Sequence, residues 1–507
     1  MHIHIKDPDK TIRIITKTTL SFVICSGLIL VLAQIKPFWV DEWRLLYNLK
    51  FKTPAALWGK LDYTQQFPRL FLEVIKGFTS LFDYSYFVLR LPSFMAATAT
   101  IFCCYRLMNR IYGNRQLNKY LFVLITVSSY TFTKYLVQIK QYEMEILLSI
   151  VAIWQLLELL KLQNPSFNKG GYILLCTSFL VVPFFSYTYP IAAAPIFMVV
   201  FVQAIRLLKN NSFAGNRKKV LLMQWLPLCI CMVSILVFYI TDVSQLMADP
   251  DMHQYWGYRM INGGVTVKSV GVKLYNLFSE VGAGFIYEII FGILGVASFV
   301  FAIYKTNLKQ LFKKEYDTSD WLKLYSILLL LLTMVLIISG KLPVEPKFNA
   351  YTVSSIAIMI IYFIDHLRQN SSFKKPAIII SLILYAGLTG NIFITFITIF
   401  TKPEYSRRIA IYVNTENAII MAQAKKMPII ITPEVAFPDD IRMDIPFIPT
   451  ISASHVLQTF PAYKVNENIA VYAINDVAEI STYVKKLPPY ITAVLAGDGQ
   501  SFHIIRR

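Results

Sequence analysis

Residues 172–205 read YILLCTSFLVVPFFSYTYPIAAAPIFMVVFVQAI, a run with no charged side chain, interrupted by Pro183, Pro190 and Pro195. One crossing of the hydrocarbon core takes about 20 apolar residues, so the run is too long for one helix. It is expected to form two spans, 172–189 and 190–207, joined by a tight turn. That choice decides the side on which every later loop lies. With two spans, Arg206, Lys209, Arg217, Lys218 and Lys219 are cytoplasmic. So are Arg106, Arg110, Arg115 and Lys119; Lys161 and Lys169; Lys305, Lys309, Lys313, Lys314 and Lys323; and Arg368, Lys374 and Lys375. A single crossing would send every later cluster outside, against the positive-inside bias.

Working outward, the apolar run 18–35 follows Lys6, Lys10, Arg13 and Lys17 and lacks a small-residue cleavage site, so it reads as an uncleaved signal anchor with a cytoplasmic N-terminus. Further spans are expected at 86–107, 120–137, 144–161, 223–241, 284–304, 323–340, 351–367 and 377–399. With the pair at 172–207 the total is about 11, which puts the C-terminus outside, in a multi-pass protein of the cytoplasmic (inner) membrane. Composition agrees: 56% of the 507 residues are hydrophobic and 16% charged, against about 25% charged in soluble domains, and the mean hydropathy is +0.52. The net charge of +19 is assigned to loops facing anionic lipid, not to nucleic-acid binding. All six cysteines lie in apolar runs without a CxxC spacing or a paired histidine, which argues against a disulfide scaffold or a zinc site. Walker A and GxGxxG motifs are both missing, which excludes ATP-driven transport by this chain alone.

After Phe400 the pattern changes. Short strands are expected at 428–432, 468–474 and 490–495, helices at 415–426 and 476–486, and a turn at Gly497-Asp498-Gly499 before a last short strand. The expected organisation is a transmembrane domain over 1–400 and a small α/β domain over 401–507 on the outer, periplasmic side.

Chemistry concentrates in the outer loop 36–85, which opens Lys36-Pro-Phe-Trp-Val-Asp-Glu-Trp-Arg-Leu-Leu-Tyr-Asn-Leu49. Asp41 and Glu42 stand just beyond the membrane surface, where anionic groups are costly and tend to be functional. A carboxylate there can deprotonate an acceptor hydroxyl or hold a divalent metal against a phosphate. The alternative is structural: an acidic helix N-terminus, followed by Leu45, Leu46 and Leu49 at helical spacing, favoured by the macrodipole.

The acidic pair after the first span resembles the first outer loop of the GT-C superfamily of membrane glycosyltransferases. Within it, the likeness is to the protein O-mannosyltransferase-like group that includes the lipid A aminoarabinose transferases. Phe67-Pro-Arg-Leu-Phe-Leu-Glu-Val-Ile-Lys76, Leu81-Phe82 and Phe87-Val-Leu-Arg-Leu-Pro-Ser93 are similar to that group's His-Pro-Pro-Leu, Lys, Leu-Phe-Gly and Ala-Leu-Arg-Leu-Pro-Ser at similar spacing. The chain departs from the group at Phe67 and Arg69, where His and Pro are common. Tyr135-Leu-Val-Gln-Ile-Lys-Gln-Tyr-Glu-Met-Glu-Ile-Leu-Leu148 is similar to the group's Gln-Glu-Ala-Arg-Pro-Tyr-Ala-Leu-Leu, with Lys140 at the Arg and Tyr142 at the Tyr. Glu345-Pro-Lys-Phe-Asn-Ala-Tyr351 resembles Pro-Arg-Tyr-Leu-Leu-Pro, and Ser186-Tyr-Thr-Tyr189 resembles a Ser-His-Tyr turn with Tyr187 at the His.

The resemblance implies a juxtamembrane helix over 67–82 and transfer of a sugar from a polyprenyl-phosphate donor, with inversion, to a lipid, glycan or protein acceptor at the outer face. In that scheme Asp41 is the general base. Glu42 orients the acceptor or shares a metal, and Arg69, Lys140 and Lys347 neutralise the departing phosphate. Tyr142, Tyr187, Trp256 and Tyr258 are acceptor or sugar contacts, and Asp41, Glu143 and Glu145 are the residues for a divalent metal, Mg or Mn. Each has a structural alternative: Lys347 snorkelling to headgroups, Glu143 and Glu145 capping a helix, and Trp256 and Tyr258 in an amphipathic interfacial segment. Two other classes compete. A lipid or polysaccharide transporter should show internal repeats and mid-span charges; the charges in spans, chiefly Lys134, Glu158, Glu288 and Asp365, lie towards span ends. A non-catalytic envelope assembly protein should tolerate loss of Asp41.

Overall fold

The computed structural model describes residues 8–32, 40–62, 65–113, 115–162, 168–209, 217–248, 267–279, 282, 284–306, 317–343, 345 and 347–401, with the strand segments 429–431, 471–473, 492–495 and 502–505. The chain divides into two compact units. The first comprises residues 1–28, 68–71 and 93–398, and the second 29–67, 72–92 and 399–507.

Up to the middle of the chain the helices are α1 (Pro8–Leu32), α2 (Val40–Phe51), α3 (Pro54–Leu57), α4 (Arg69–Phe82), α5 (Tyr86–Tyr112), α6 (Gln116–Val127), α7 (Tyr130–Tyr135), α8 (Tyr142–Lys161), α9 (Lys169–Val181), α10 (Tyr189–Lys209) and α11 (Arg217–Phe238). Long helices follow over Phe285–Lys305, Thr318–Ile338, Val353–Gln369 and Lys374–Thr401. Among the described residues 8 helices are long and apolar enough to cross a membrane, as expected of a multi-pass membrane protein.

The other three expected spans take different forms. The run 120–137 is apolar throughout but does not form one helix. It stops at Val127, and the Ser129 hydroxyl accepts the Phe132 N–H to cap a new short helix, as serine does at N-caps. The stretch 144–161 lies within the continuous 20-residue helix Tyr142–Lys161, but Glu143, Glu145 and Glu158 make that helix too charged to count as a plain apolar span. The first half of 172–207 is short: α9 tightens into a 3-10 turn over Val182–Phe185, with Pro183 inside it, and ends at Ser186. The expected break between two helices does fall there.

Within the first unit, helices meet through small residues and paired hydroxyls. A Cβ on Gly27 would lie 2.8 Å from the Phe94 ring and 2.9 Å from Leu136, so any larger residue would force these side chains to shift. The Thr16 and Tyr385 hydroxyls are 2.7 Å apart, and the Tyr325 hydroxyl donates to the Ala192 carbonyl at 3.0 Å. Such pairing satisfies polar groups that hydrocarbon cannot solvate.

In the second unit, α2 buries Leu45, Leu46 and Leu49 on one face, the helical spacing read from the sequence. The Asn48 side chain brackets residue 62, donating to the Asp62 carbonyl at 3.1 Å and accepting its N–H at 2.8 Å. Lys76 on α4 donates to the Leu49 carbonyl, and the Tyr84 hydroxyl donates to the Leu46 carbonyl at 3.3 Å. The expected helix at 67–82 is α4. Strands β1 (Ile429–Ile431), β2 (Val471–Ala473), β3 (Thr492–Leu495) and β4 (Phe502–Ile505) form a sheet in the order β2-β1-β3-β4. Strand β1 is parallel to both neighbours, with Ile430 opposite Tyr472 and Val494, and β4 runs antiparallel to β3. The strands fall where the sequence expects them. The helices at 415–426 and 476–486 and the turn at 497–499 lie outside the described residues.

Candidate active site

The first unit gathers an acid-rich cluster from four distant segments. Helix α8 carries Glu143 and Glu145 in its first turn, where carboxylates favour the positive end of the helix dipole. Glu145 accepts hydrogen bonds from the hydroxyls of Ser186 and Thr188. Those hydroxyls are presented by the turn before α10. Ser186 Oγ accepts the N–H of Tyr189 at 2.9 Å and of Thr188 at 3.2 Å, and Pro190 stands in the first helical turn, where its missing N–H costs nothing.

Between them, Tyr187 donates its hydroxyl to Asp242 Oδ1 at 2.9 Å. Asp242 sits in a π-helical turn, Tyr239–Val243, that continues α11. The same oxygen lies 3.3 Å from Arg69 Nε, with the Arg69 side chain 3% exposed and that of Asp242 fully buried. Arg69, Asp242 and Glu145 all lie within electrostatic reach of the Tyr187 hydroxyl. The buried carboxylate of Glu143 has no hydrogen-bond partner among the described residues.

Next to this cluster in sequence, Tyr142 packs its ring against Tyr135, at 4.6 Å between centroids, and edge-on to Phe348 at 6.3 Å. Residues 142 and 348 therefore meet. Lys347 Nζ is 3.2 Å from Glu345 and 5.1 Å from the Phe348 ring centre. Lys140 is buried, and its carbonyl accepts the Ser93 hydroxyl at 3.2 Å. Of the residues singled out by sequence, Tyr142, Tyr187, Glu145 and Arg69 thus join two connected neighbourhoods, and Lys347 flanks one of them.

In the second unit, Glu42 on α2 and Arg90 at the start of α5 are both fully buried, and the carboxylate acts electrostatically on the guanidinium. Asp41 lies on α2, but its side chain is outside the described residues, as are Trp256 and Tyr258. On α4, which lies outside the spans, burial pushes the Glu73 carboxyl above the usual carboxylate range, an effect partly opposed by Lys76 and by a hydrogen bond from Trp58. Burial lowers the Lys76 ammonium, partly opposed by Glu73.

Glu143 and Glu145, two apart on a helix, project to different faces, and Glu145 is engaged by two hydroxyls. No three His, Cys, Asp or Glu side chains converge among the described residues. Glu143 and Glu145 alone supply no divalent-ion site among the described residues.

Sequence reasoning missed Asp242 and gave Arg90 no role. The signal for Asp242 was an acid directly beyond the apolar run 223–241. For Arg90 it was a guanidinium set among Leu89, Leu91 and Pro92.

No family model matches the chain, and no curated protein does. Two crystal structures of ArnT from Cupriavidus metallidurans are similar to it at 11% identity. The one bound to undecaprenyl phosphate gives a TM-score of 0.49, covering 94% of this chain and 95% of that one. The apo form gives 0.47, covering 94% and 92%. The oligosaccharyltransferase of Archaeoglobus fulgidus, in complex with Zn and sulfate, gives 0.45 at 11% identity, covering 90% of this chain and 58% of that one.

Proposed function

We propose that this chain is a membrane glycosyltransferase that moves a sugar from a polyprenyl-phosphate donor to an envelope acceptor at the outer face. The observation that carries the reading is the buried cluster of Arg69, Glu145, Tyr187 and Asp242. Ionisable groups held inside a membrane-embedded bundle are expensive, and they mark functional sites. The motifs in the first outer loop, at 140–145, at 186–189 and at 347 support the same reading from sequence.

In this scheme Asp41 takes the proton from the acceptor hydroxyl or amine. The acceptor then attacks the anomeric carbon, and the carbon–oxygen bond to the carrier phosphate breaks with inversion. Arg69, Lys140 and Lys347 offset the charge gained by the departing phosphate, and fixed cations are most effective where water is partly excluded. Tyr142 and Tyr187 supply aromatic and hydroxyl contacts to sugar or acceptor. Glu42, tied to Arg90, sets the position of α2 and hence of Asp41.

The test is transfer from a panel of labelled polyprenyl-phosphate sugars by membranes holding wild type or Asp41→Asn at matched expression. The expected result is transfer by wild type alone. Equal transfer by both removes Asp41 as the base, and no transfer from any donor removes the glycosyltransferase reading.

A further inference from the structure

We infer that Asp242 is a positioning residue for the donor site, fixing Arg69 and Tyr187 together through a single carboxylate oxygen. The inference deepens the glycosyltransferase reading and rests on it. Asp242 Oδ1 takes the Tyr187 hydroxyl at 2.9 Å and lies 3.3 Å from Arg69 Nε. Two side chains from distant parts of the chain are therefore set by one atom.

The arrangement is asymmetric in a useful way. Asp242 pairs by charge with the Nε edge of the guanidinium at 3.3 Å, and neither Nε nor the buried Nη1 makes a hydrogen bond among the described residues. An arginine held by one edge keeps donors for an anion at the other, and a guanidinium fork suits a phosphate better than a point charge does. The cost of burying this pair is hard to recover by stability alone, because desolvation of both ions offsets much of their attraction.

The local backbone serves the same end. Asp242 falls in the π-helical turn Tyr239–Val243, and π-bulges within α-helices are rare and concentrate at functional sites. The widened turn sets the acid's direction at the point where α11 would otherwise continue regularly.

The experiment compares full-length wild type with Asp242→Ala, Asp242→Asn, Arg69→Ala and the double variant Arg69→Ala/Asp242→Ala. It measures the thermal unfolding midpoint and the KM and kcat for the best donor in the panel. Each alanine variant alone leaves a buried ion unpaired and should lower the midpoint. The double variant removes both ions and should recover the midpoint. Its kcat/KM should stay at least about tenfold below wild type, mainly through kcat, because Arg69 offsets charge that develops as the phosphate departs. Asp242→Asn keeps an acceptor for Tyr187 and should fall between Asp242→Ala and wild type in kcat/KM.

A double variant that recovers transfer along with the midpoint overturns the inference, since the pair then only holds helices together. Single variants that fold and transfer like wild type overturn it as well. If wild type transfers nothing from any donor, the glycosyltransferase reading fails and this inference falls with it; that outcome differs from transfer by wild type matched by the double variant.

Discussion

The Glu42 carboxylate and the Arg90 guanidinium are buried together, one residue beyond Asp41 and three before Ser93. The arginine of the Leu-Arg-Leu-Pro-Ser segment thus has a partner in the acidic pair that the sequence marks for chemistry. Losing one member leaves a buried charge uncompensated, which typically costs about 3–5 kcal/mol. Arg90→Met and Glu42→Leu should each lower the unfolding midpoint sharply, and the double variant should regain most of it. Chemical denaturation of the purified variants in detergent checks this; a double variant as weak as the sum of the singles would show the two residues to be independent.

Glu145 depends on the turn before α10. Ser186→Ala with Thr188→Val removes both hydroxyl donors from a buried carboxylate. Leaving a buried polar group unsatisfied costs about 1–3 kcal/mol, and more when it is charged. The double substitution should destabilise the protein and reduce transfer, whereas Glu145→Gln in the same background should return part of the stability. Thermal unfolding and donor transfer, measured on the same preparations, check both halves.

Gly27 offers a packing test. Phe94 and Leu136 both come under 3.0 Å from the position that a Cβ on residue 27 would take, so Gly27→Val should cost about 1–3 kcal/mol through overpacking. A compensating Phe94→Leu should recover part of the loss in the unfolding midpoint if the contact is the cause.

The pH dependence on α4 has a definite sign. A carboxyl held above its unfolded value binds its proton more tightly in the folded protein, so Glu73 subtracts stability as pH rises from about its unfolded value of 4.5 upward. Lys76, held below its ordinary 10.5, adds stability only as pH rises towards that value. Glu73→Gln should therefore raise the unfolding midpoint relative to wild type more at pH 7 than at pH 4. An equal shift at both values would mean that the charge of Glu73 is not what matters.

Lys347 can be tested by charge geometry. It is held by Glu345 at 3.2 Å and is proposed to meet the donor phosphate. Lys347→Ala should lower kcat/KM for the donor by about tenfold or more, as loss of a preorganised charge contact does, while Lys347→Arg should retain most of it. A merely lipid-anchoring lysine would leave kcat/KM unchanged on replacement.

Part of this architecture was legible in order of chain: the first apolar helix, the break near Ser186 and the strands follow from period and composition, while the helix expected over 67–82 came from the resemblance, with Glu73 and Lys76 arguing against a span. The interruption after Val127 was not, because the apolar run continues through it, although the Ser128-Ser129 pair carried a capping signal. The partners of Arg69 and Glu42 were beyond sequence reasoning for a different reason. Which acid faces which arginine depends on helix rotation across distant segments, and local periodicity fixes that only within one helix. Asp242 shows this most clearly, since its direction comes from a π-helical turn that no residue pattern announces.

That turn also sets the rotation of everything that follows it in the helix. Each residue of a regular α-helix rotates the backbone by about 100°, so one extra residue inside an apolar helix is enough to swing every following side chain to a new face. The widened stretch Tyr239–Val243 therefore decides which face of the helix carries Asp242 and the side chains after it.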